Sequence, residues 1–196
     1  MPDAFYTPSR DGPLRQGEIL TGLRRVIPEP GSAFGELKAD IFDHRFAVIL
    51  SQDCDLAQDF DARSDIKEGE SEQDMQDRER RQISCVLFCD AIPVDELMGR
   101  ISNKRVWDFA SKNKNERYQF LRAVQPDEDA HGKGIPSGLG LDFKRYFSLS
   151  VEDVYAQVGQ LKNRRTVLQT PYAEHLSVRF FQYQLRIPLA KEHHVP

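Results

Sequence analysis

The chain has 196 residues, 39% hydrophobic, 30% charged and 10% aromatic, with a formal charge of −4. That suffices for one well-buried domain, is short for two, and is too apolar for a disordered chain. No run of about 18 apolar residues occurs, the start MPDAFYTPSRDGPLRQG has no cationic segment feeding an apolar one, and three cysteines make an odd count. Membrane spanning, export and a disulfide framework are therefore not expected, and a cytoplasmic protein with reduced thiols is.

In chain order, residues 1–15 are rich in Pro, Gly and polar groups and read as a loose arm. Gly17 to Pro28 is a strand candidate closed by the turn former PEPGS. Phe46 to Ser51 is a second strand, apolar on both faces and so central in a sheet. It runs straight into Asp53, Cys54 and Asp55. Residues 53–81 form an acidic segment with few apolar positions, expected to be a solvated, mobile insertion, partly helical at most. Between Asp53 and Glu79 stand eleven acidic and three basic residues, a local charge of −8 that leaves +4 on the remainder. Folded over a basic face, such a segment would compete with phosphates.

Gln82 to Pro93 is the most regular strand, with Ile83, Cys85, Leu87 and Cys89 on one face and Ser84, Val86 and Phe88 on the other. Val94 to Lys112 reads as helix in one or two pieces, with Ser102 as a cap. Arg117 to Val124, Phe143 to Leu149 and Arg165 to Gln169 are further strands, the first two separated by the loop QPDEDAHGKGIPSGLG. A C-terminal helix over residues 170–188 is expected to begin with Thr170 as cap and Pro171 at the first helical position. Ala173, Leu176, Phe180, Tyr183 and Ile187 line one stripe. Six or so short strands and this helix predict a single, mainly β domain over residues 1–196, a small curled sheet or barrel capped by helices.

Several groups are candidates for chemistry. Cys85 and Cys89, four apart on a strand, lie about 13 Å from each other, too far for a shared zinc, and are expected to be buried structural thiols; no metal and no cofactor are anticipated. Cys54 is a candidate nucleophile at a strand end, although Asp53 and Asp55 disfavour its thiolate. The alternative is a strand-ending turn in which Asp55 accepts backbone N–H bonds, or a pair of carboxylates serving a hard cation or general-base chemistry. From Arg100 to Arg122, seven basic residues face two acidic ones and are interleaved with aromatics. Lys104, Arg105, Trp107, Lys112, Lys114 and Arg117 suit a nucleic-acid surface, in which cations meet phosphates and rings stack on bases. The plainer reading is a helix and strand with aromatics inward and charges in water.

The order GEI (17–19), HRFAVILS (44–51), ISCVLFCDAI (83–92) and RTVLQTP (165–171) feeding an amphipathic helix resembles the PemK/MazF group of bacterial toxin ribonucleases. The resemblance implies an SH3-like barrel and metal-independent endoribonuclease action in a toxin–antitoxin system. Arg45 would stabilise the phosphorane, and Ser84 or His44 would handle the proton. It also implies RNA or a protein as partner and admits a homodimer. Phe46 stands where the group has Pro, Glu18 where it has Asp, and the DCD turn has no counterpart there. SQDCDL (51–56), ERYQFLRA (116–123) and TPYAEHLSVRF (170–180) are also similar to uncharacterised bacterial proteins with an S-Q-x-C-D-L signature. The rival readings are a non-catalytic interaction module of a defence or toxin system, and a thiol or metal enzyme centred on Cys54. Phosphate-binding glycine loops, nucleophile elbows and H-E-x-x-H are absent from the sequence.

Overall fold

The computed structural model describes residues 4–29, 38–65, 69–101, 103–112 and 114–185. Its seven strands are β1 (Tyr6–Pro8), β2 (Glu18–Pro28), β3 (Ala39–Ile49), β4 (Cys85–Pro93), β5 (Tyr118–Leu121), β6 (Leu139–Ser150) and β7 (Arg164–Leu168). They form one antiparallel sheet in the order β1-β7-β2-β3-β4-β6-β5. The helices are α1 (Asp53–Ser64), α2 (Glu72–Arg80), α3 (Val94–Arg100), α4 (Lys104–Ala110), α5 (Val151–Leu161) and α6 (Tyr172–Gln184).

The central strands are apolar on both faces because both faces are covered. Phe46, Val48 and Leu50 of the β3 segment join Cys89, Ala91, Leu141 and Phe143 beneath Leu176 and Phe180 of α6. Ala47 and Ile49 point the other way, into a layer with Val86, Phe88 and Phe147, closed by Leu56 of α1 and by Val151 and Val154 of α5. A third, smaller cluster at the far end of β4 and β6 packs Ile92 and Tyr118 against Leu97 of α3 and Ala110 of α4.

This architecture corrects the expectation of an SH3-like barrel. The sheet is open, with no ladder joining β1 to β5, and helices pack on both of its faces. The apolar run at Phe46–Leu50 carries the physical reason: a small barrel has one interior, whereas a strand apolar on both sides requires a cover on each. The two ends of the sheet are tied by isolated bonds instead. Tyr6 donates its hydroxyl to the Arg122 carbonyl at 2.9 Å, and Arg165 of β7 pairs with Asp129 in the β5–β6 connection at 2.7 Å.

The acidic segment is helical in two pieces, α1 and α2. Asp59, buried on α1, accepts the Ile83 backbone N–H at 3.0 Å and pairs with Arg63. Arg63 reaches on to Glu152 at 2.8 Å and to the Ile83 carbonyl at 3.1 Å. The segment is thus anchored where β4 begins, at the opposite end of that strand from α3. Helix α5, which the sequence reading lacked, is capped by Ser150, whose hydroxyl accepts the Asp153 N–H at 3.1 Å. In α6, Leu176 and Phe180 are buried with Ala173 and Tyr183 packed beside them; Ile187 lies outside the described residues, as does Ser102. Asn103 caps α4, its side-chain oxygen accepting from Arg105 and Val106 N–H at 3.0 and 3.2 Å.

Candidate functional site

Between the pairs Cys89↔Tyr146 and Ala91↔Leu141 the β4–β6 ladder loses register, so that Asp90 alone on β4 faces the four residues Asp142 to Arg145 on β6. A bulge of this kind re-aims side chains that regular pleating would direct elsewhere. It is held by an N–H···O bond from Phe143 to the Arg117 carbonyl at 2.9 Å and by Asp142, whose carboxylate accepts the Lys144 N–H at 3.1 Å. Beneath lies Cys89, fully buried, its thiol facing the carbonyls of Asp90 and Asp142 at 3.5 and 3.4 Å. Burial, and then the nearby carboxylates, push this thiol well above its ordinary pKa, which makes it inert.

Above the bulge α3 closes one wall. Its Leu97 packs directly on Gly140 of β6, where a Cβ would overlap the leucine side chain. Between α3 and the bulge opens a cavity of about 300 Å³, lined by the apolar Ile92, Leu97 and Ile101, by Tyr118 and by the charged Arg100, Arg117, Arg145, Asp90 and Asp142. The two carboxylates are engaged. Asp142 receives Arg117 in a bidentate clamp at 2.7 and 2.5 Å, and the same guanidinium lies 4.9 Å from the Tyr118 ring centroid. Hydrogen bonding to Asp142 raises the pKa of Arg117 further, so this guanidinium stays charged.

Asp90 is held from behind by His44. The imidazole is 2% exposed, stacked at 3.9 Å on Phe147, with Nδ1 3.0 Å from the Asp90 carboxylate. Because a carboxylate only accepts, Nδ1 carries the proton; Nε2 has no partner in its aromatic surround. His44 therefore positions Asp90 and is shut away from any substrate. Arg145 lies 3.6 Å from the same carboxylate, beyond hydrogen-bond range, with half of its side chain exposed.

The adjoining α4 extends the positive surface. From Arg100 to Lys114 stand five basic residues and one acidic; Lys104, Arg105, Lys112 and Lys114 are all exposed. Trp107 turns inward and meets Phe120 edge-on at 5.5 Å, while Phe109 is 49% exposed. Of the residues named for a nucleic-acid surface, four lysines and arginines thus face solvent, Trp107 belongs to the packing and Arg117 to the cavity rim.

The remaining candidates are scattered. Arg45 is exposed and pairs with Glu96 of α3 at 2.6 Å. Its neighbour Phe46 pairs with Ala91, seven residues beyond Ser84 and so roughly 23 Å away along β4. Ser84 stands at the other end, its carbonyl accepting the Val151 N–H at 3.3 Å. Arg45, Ser84 and His44 consequently share no groove. In the DCD stretch, Asp53 opens α1 and secures the preceding segment, accepting the Gln16 N–H at 2.7 Å and clamping Arg15 at 2.6 and 2.9 Å. Cys54 is exposed, its sulfur 3.7 Å from the Gln52 side-chain oxygen and 3.6 Å from the Asp55 carboxylate. Asp55 borders a cavity of about 230 Å³ with Cys85, Phe180 and Phe181. Cys85 is exposed rather than buried, because it opens β4 at the sheet end. Among the described residues no three His, Cys, Asp or Glu side chains gather as a metal site, and no helix is long and apolar enough to cross a membrane. A further cavity, about 480 Å³ beside Asp53, has two of its three arginines engaged: Arg15 is clamped by Asp53, and Arg164 by the buried Glu18, while Arg10 is exposed at its edge.

Arg100, Arg145, Asp90 and Asp142 were not singled out by the sequence. The one signal was the run Asp142-Phe143-Lys144-Arg145-Tyr146-Phe147, where two adjacent cations interrupt the alternation expected of a half-buried strand.

No protein-family model matches the chain, and neither curated proteins nor solved structures give a match. The resemblance to PemK/MazF toxins is therefore overturned on two counts, the open sheet and the absence of any family match, and the endoribonuclease and toxin–antitoxin readings fall with it.

Proposed function

We propose that this protein binds single-stranded nucleic acid on the corner formed by α3, α4 and the β4–β6 bulge, as a binding surface rather than a cleaving one. The observation that carries the reading is the exposure of Lys104, Arg105, Lys112 and Lys114 around the half-exposed ring of Phe109. Cations in that density attract phosphates by releasing condensed counterions, and one accessible ring supplies a base-stacking platform. The acidic helices do not argue against it, since their anchors at Ile83 and Glu152 lie at the other end of β4. A single strand suits the corner better than a duplex. Helix α4 has only seven residues, too short to track a groove, whereas a flexible strand can bend around it.

The test is fluorescence anisotropy with a labelled oligoribonucleotide at several salt concentrations. Replacing Lys104, Arg105, Lys112 and Lys114 together by Ala should weaken binding and lower the salt slope of log Kd by about 3, at ~0.7 per lost single-strand phosphate contact. Equal affinity and slope for wild type and variant refute the reading.

A further inference from the structure

We infer that the cavity at the β4–β6 bulge takes a phosphate monoester carried on a ring-sized body, which in a strand is its phosphorylated terminal nucleotide. This rests on the nucleic-acid reading of the corner and specifies which part of the strand the cavity receives. Three arginines and two aspartates surround the space, and the pairing among them is uneven. Asp142 is fully taken by Arg117, and Asp90 is already bonded to His44 from the protein side. Arg145 reaches Asp90 only at 3.6 Å and is half exposed, and Arg100 projects from the last turn of α3. These two guanidiniums are thus the cations available to a ligand, with fork geometry suited to a phosphate.

A monoester carries ~1.5–2 negative charges near neutral pH, against one for each diester along the chain. The rim's surplus of positive charge therefore selects the end of a strand over its interior. Volume points the same way: about 300 Å³ is at the lower limit of ligand pockets, room for a single ring-bearing unit and not for a run of chain. The floor of Ile92, Leu97 and Ile101, with Tyr118 also on the wall, offers apolar and aromatic contact to a ring, so the site selects a ring-bearing unit more than the identity of its base. The same chemistry has two sources, a free nucleoside monophosphate or a strand end, and the experiment separates them.

Anisotropy is measured for one oligoribonucleotide sequence bearing a 5′-phosphate, a 3′-phosphate or no terminal phosphate, with adenosine monophosphate as competitor. One phosphorylated strand should bind at least tenfold more tightly than the hydroxyl-ended strand, with Arg100→Gln/Arg145→Gln erasing the difference. Competition by the mononucleotide at a concentration near its own Kd would support the site and identify the free nucleotide as its natural source. Should that double variant fail to fold, excess inorganic phosphate added to the wild type should erase the difference in its place. If all three strands bind equally, the inference is overturned while the nucleic-acid reading survives. If none binds, both are overturned.

Discussion

Replacing Asp129 by Asn tests how the ends of the open sheet are held together. Asp129 sits between β5 and β6 with no exposed side-chain surface, and its carboxylate accepts five bonds. Two come from Arg165 at 2.7 Å each, and three from the backbone N–H groups of His131, Lys133 and Gly134 at 3.2, 3.1 and 2.8 Å. Arg165 is also buried, and among the described residues its guanidinium otherwise donates to the Gly134 carbonyl at 3.1 Å. The amide keeps the shape and removes the charge, leaving a buried guanidinium uncompensated, which costs about 3–5 kcal/mol. In a chain of this length each kcal/mol moves Tm by about 2–4 °C, so a fall of about 6–20 °C is expected. Urea titration should show a lower midpoint with an unchanged slope. The pH dependence gives an independent check. Burial opposes ionisation of Asp129, yet Arg165 and the backbone donors outweigh it and hold the carboxyl down to about 2. A folded pKa below the unfolded value means that this increment is complete above about pH 4 and is lost as pH falls towards 2. It is worth about 2 kcal/mol. The gap between wild type and variant should therefore narrow by that amount between pH 5 and pH 2. A loss below about 1 kcal/mol at pH 7, or a gap independent of pH, would refute the assignment of this pair as the tie between the sheet ends.

Two further outcomes follow from the packing around the cavity. Gly140→Ala places a methyl group against Leu97 and should destabilise by about 1–3 kcal/mol as α3 is displaced, measured by urea unfolding; an unchanged midpoint would mean that α3 is not seated on β6. With a thiol-specific chromogenic reagent, Cys54 and Cys85 should react in the native state and Cys89 only on unfolding, since it is buried and its pKa is raised. Three fast thiols would show the bulge to be open.

What the sequence made legible follows from how local each signal is. The period-2 pattern from Cys85 to Pro93 and the apolar run from Phe46 coincide with β4 and the inner half of β3. The stripe through Leu176 and Phe180 is the buried side of α6. These elements announce themselves because each buries a face whose spacing is set by its own backbone. Helix α5 escaped although Val151, Val154 and Val158 repeat at three and four residues; it starts directly at the end of β6 behind Ser150, with no turn residue to mark the change of period. The outer half of β3 escaped because it is a solvent-exposed ribbon: Ile41 and Phe42 are exposed and Asp40 and Asp43 break the apolar pattern. The closed barrel was a wrong answer to a correct observation. The apolar run at Phe46–Leu50 marks a strand buried on both faces, and the second cover comes from Leu56 of α1 and from Val151 and Val154 of α5.

The candidate site was harder to foresee because it comes from a failure of register, which involves two strands about fifty residues apart. Nothing at Asp90 distinguishes it locally; it becomes a rim carboxylate only because four residues of β6 must be accommodated opposite it. The same insertion lifts Arg145 away from the pleat and leaves it short of a full bond with Asp90. It also reverses the facing of β6, so that Phe143 packs beneath α6 while Phe147, four residues on, packs in the opposite layer. Regular pairing would put both phenylalanines on one face and leave one layer without its ring. The bulge is thus required by the packing of both layers, and the charged cavity forms where that requirement meets α3. Filling the core on either side fixes the position of Asp90, while Arg100 and Arg145 stay at the surface. That arrangement sets exposed cations over a packed floor, the combination by which a small anion would bind without rearranging the sheet.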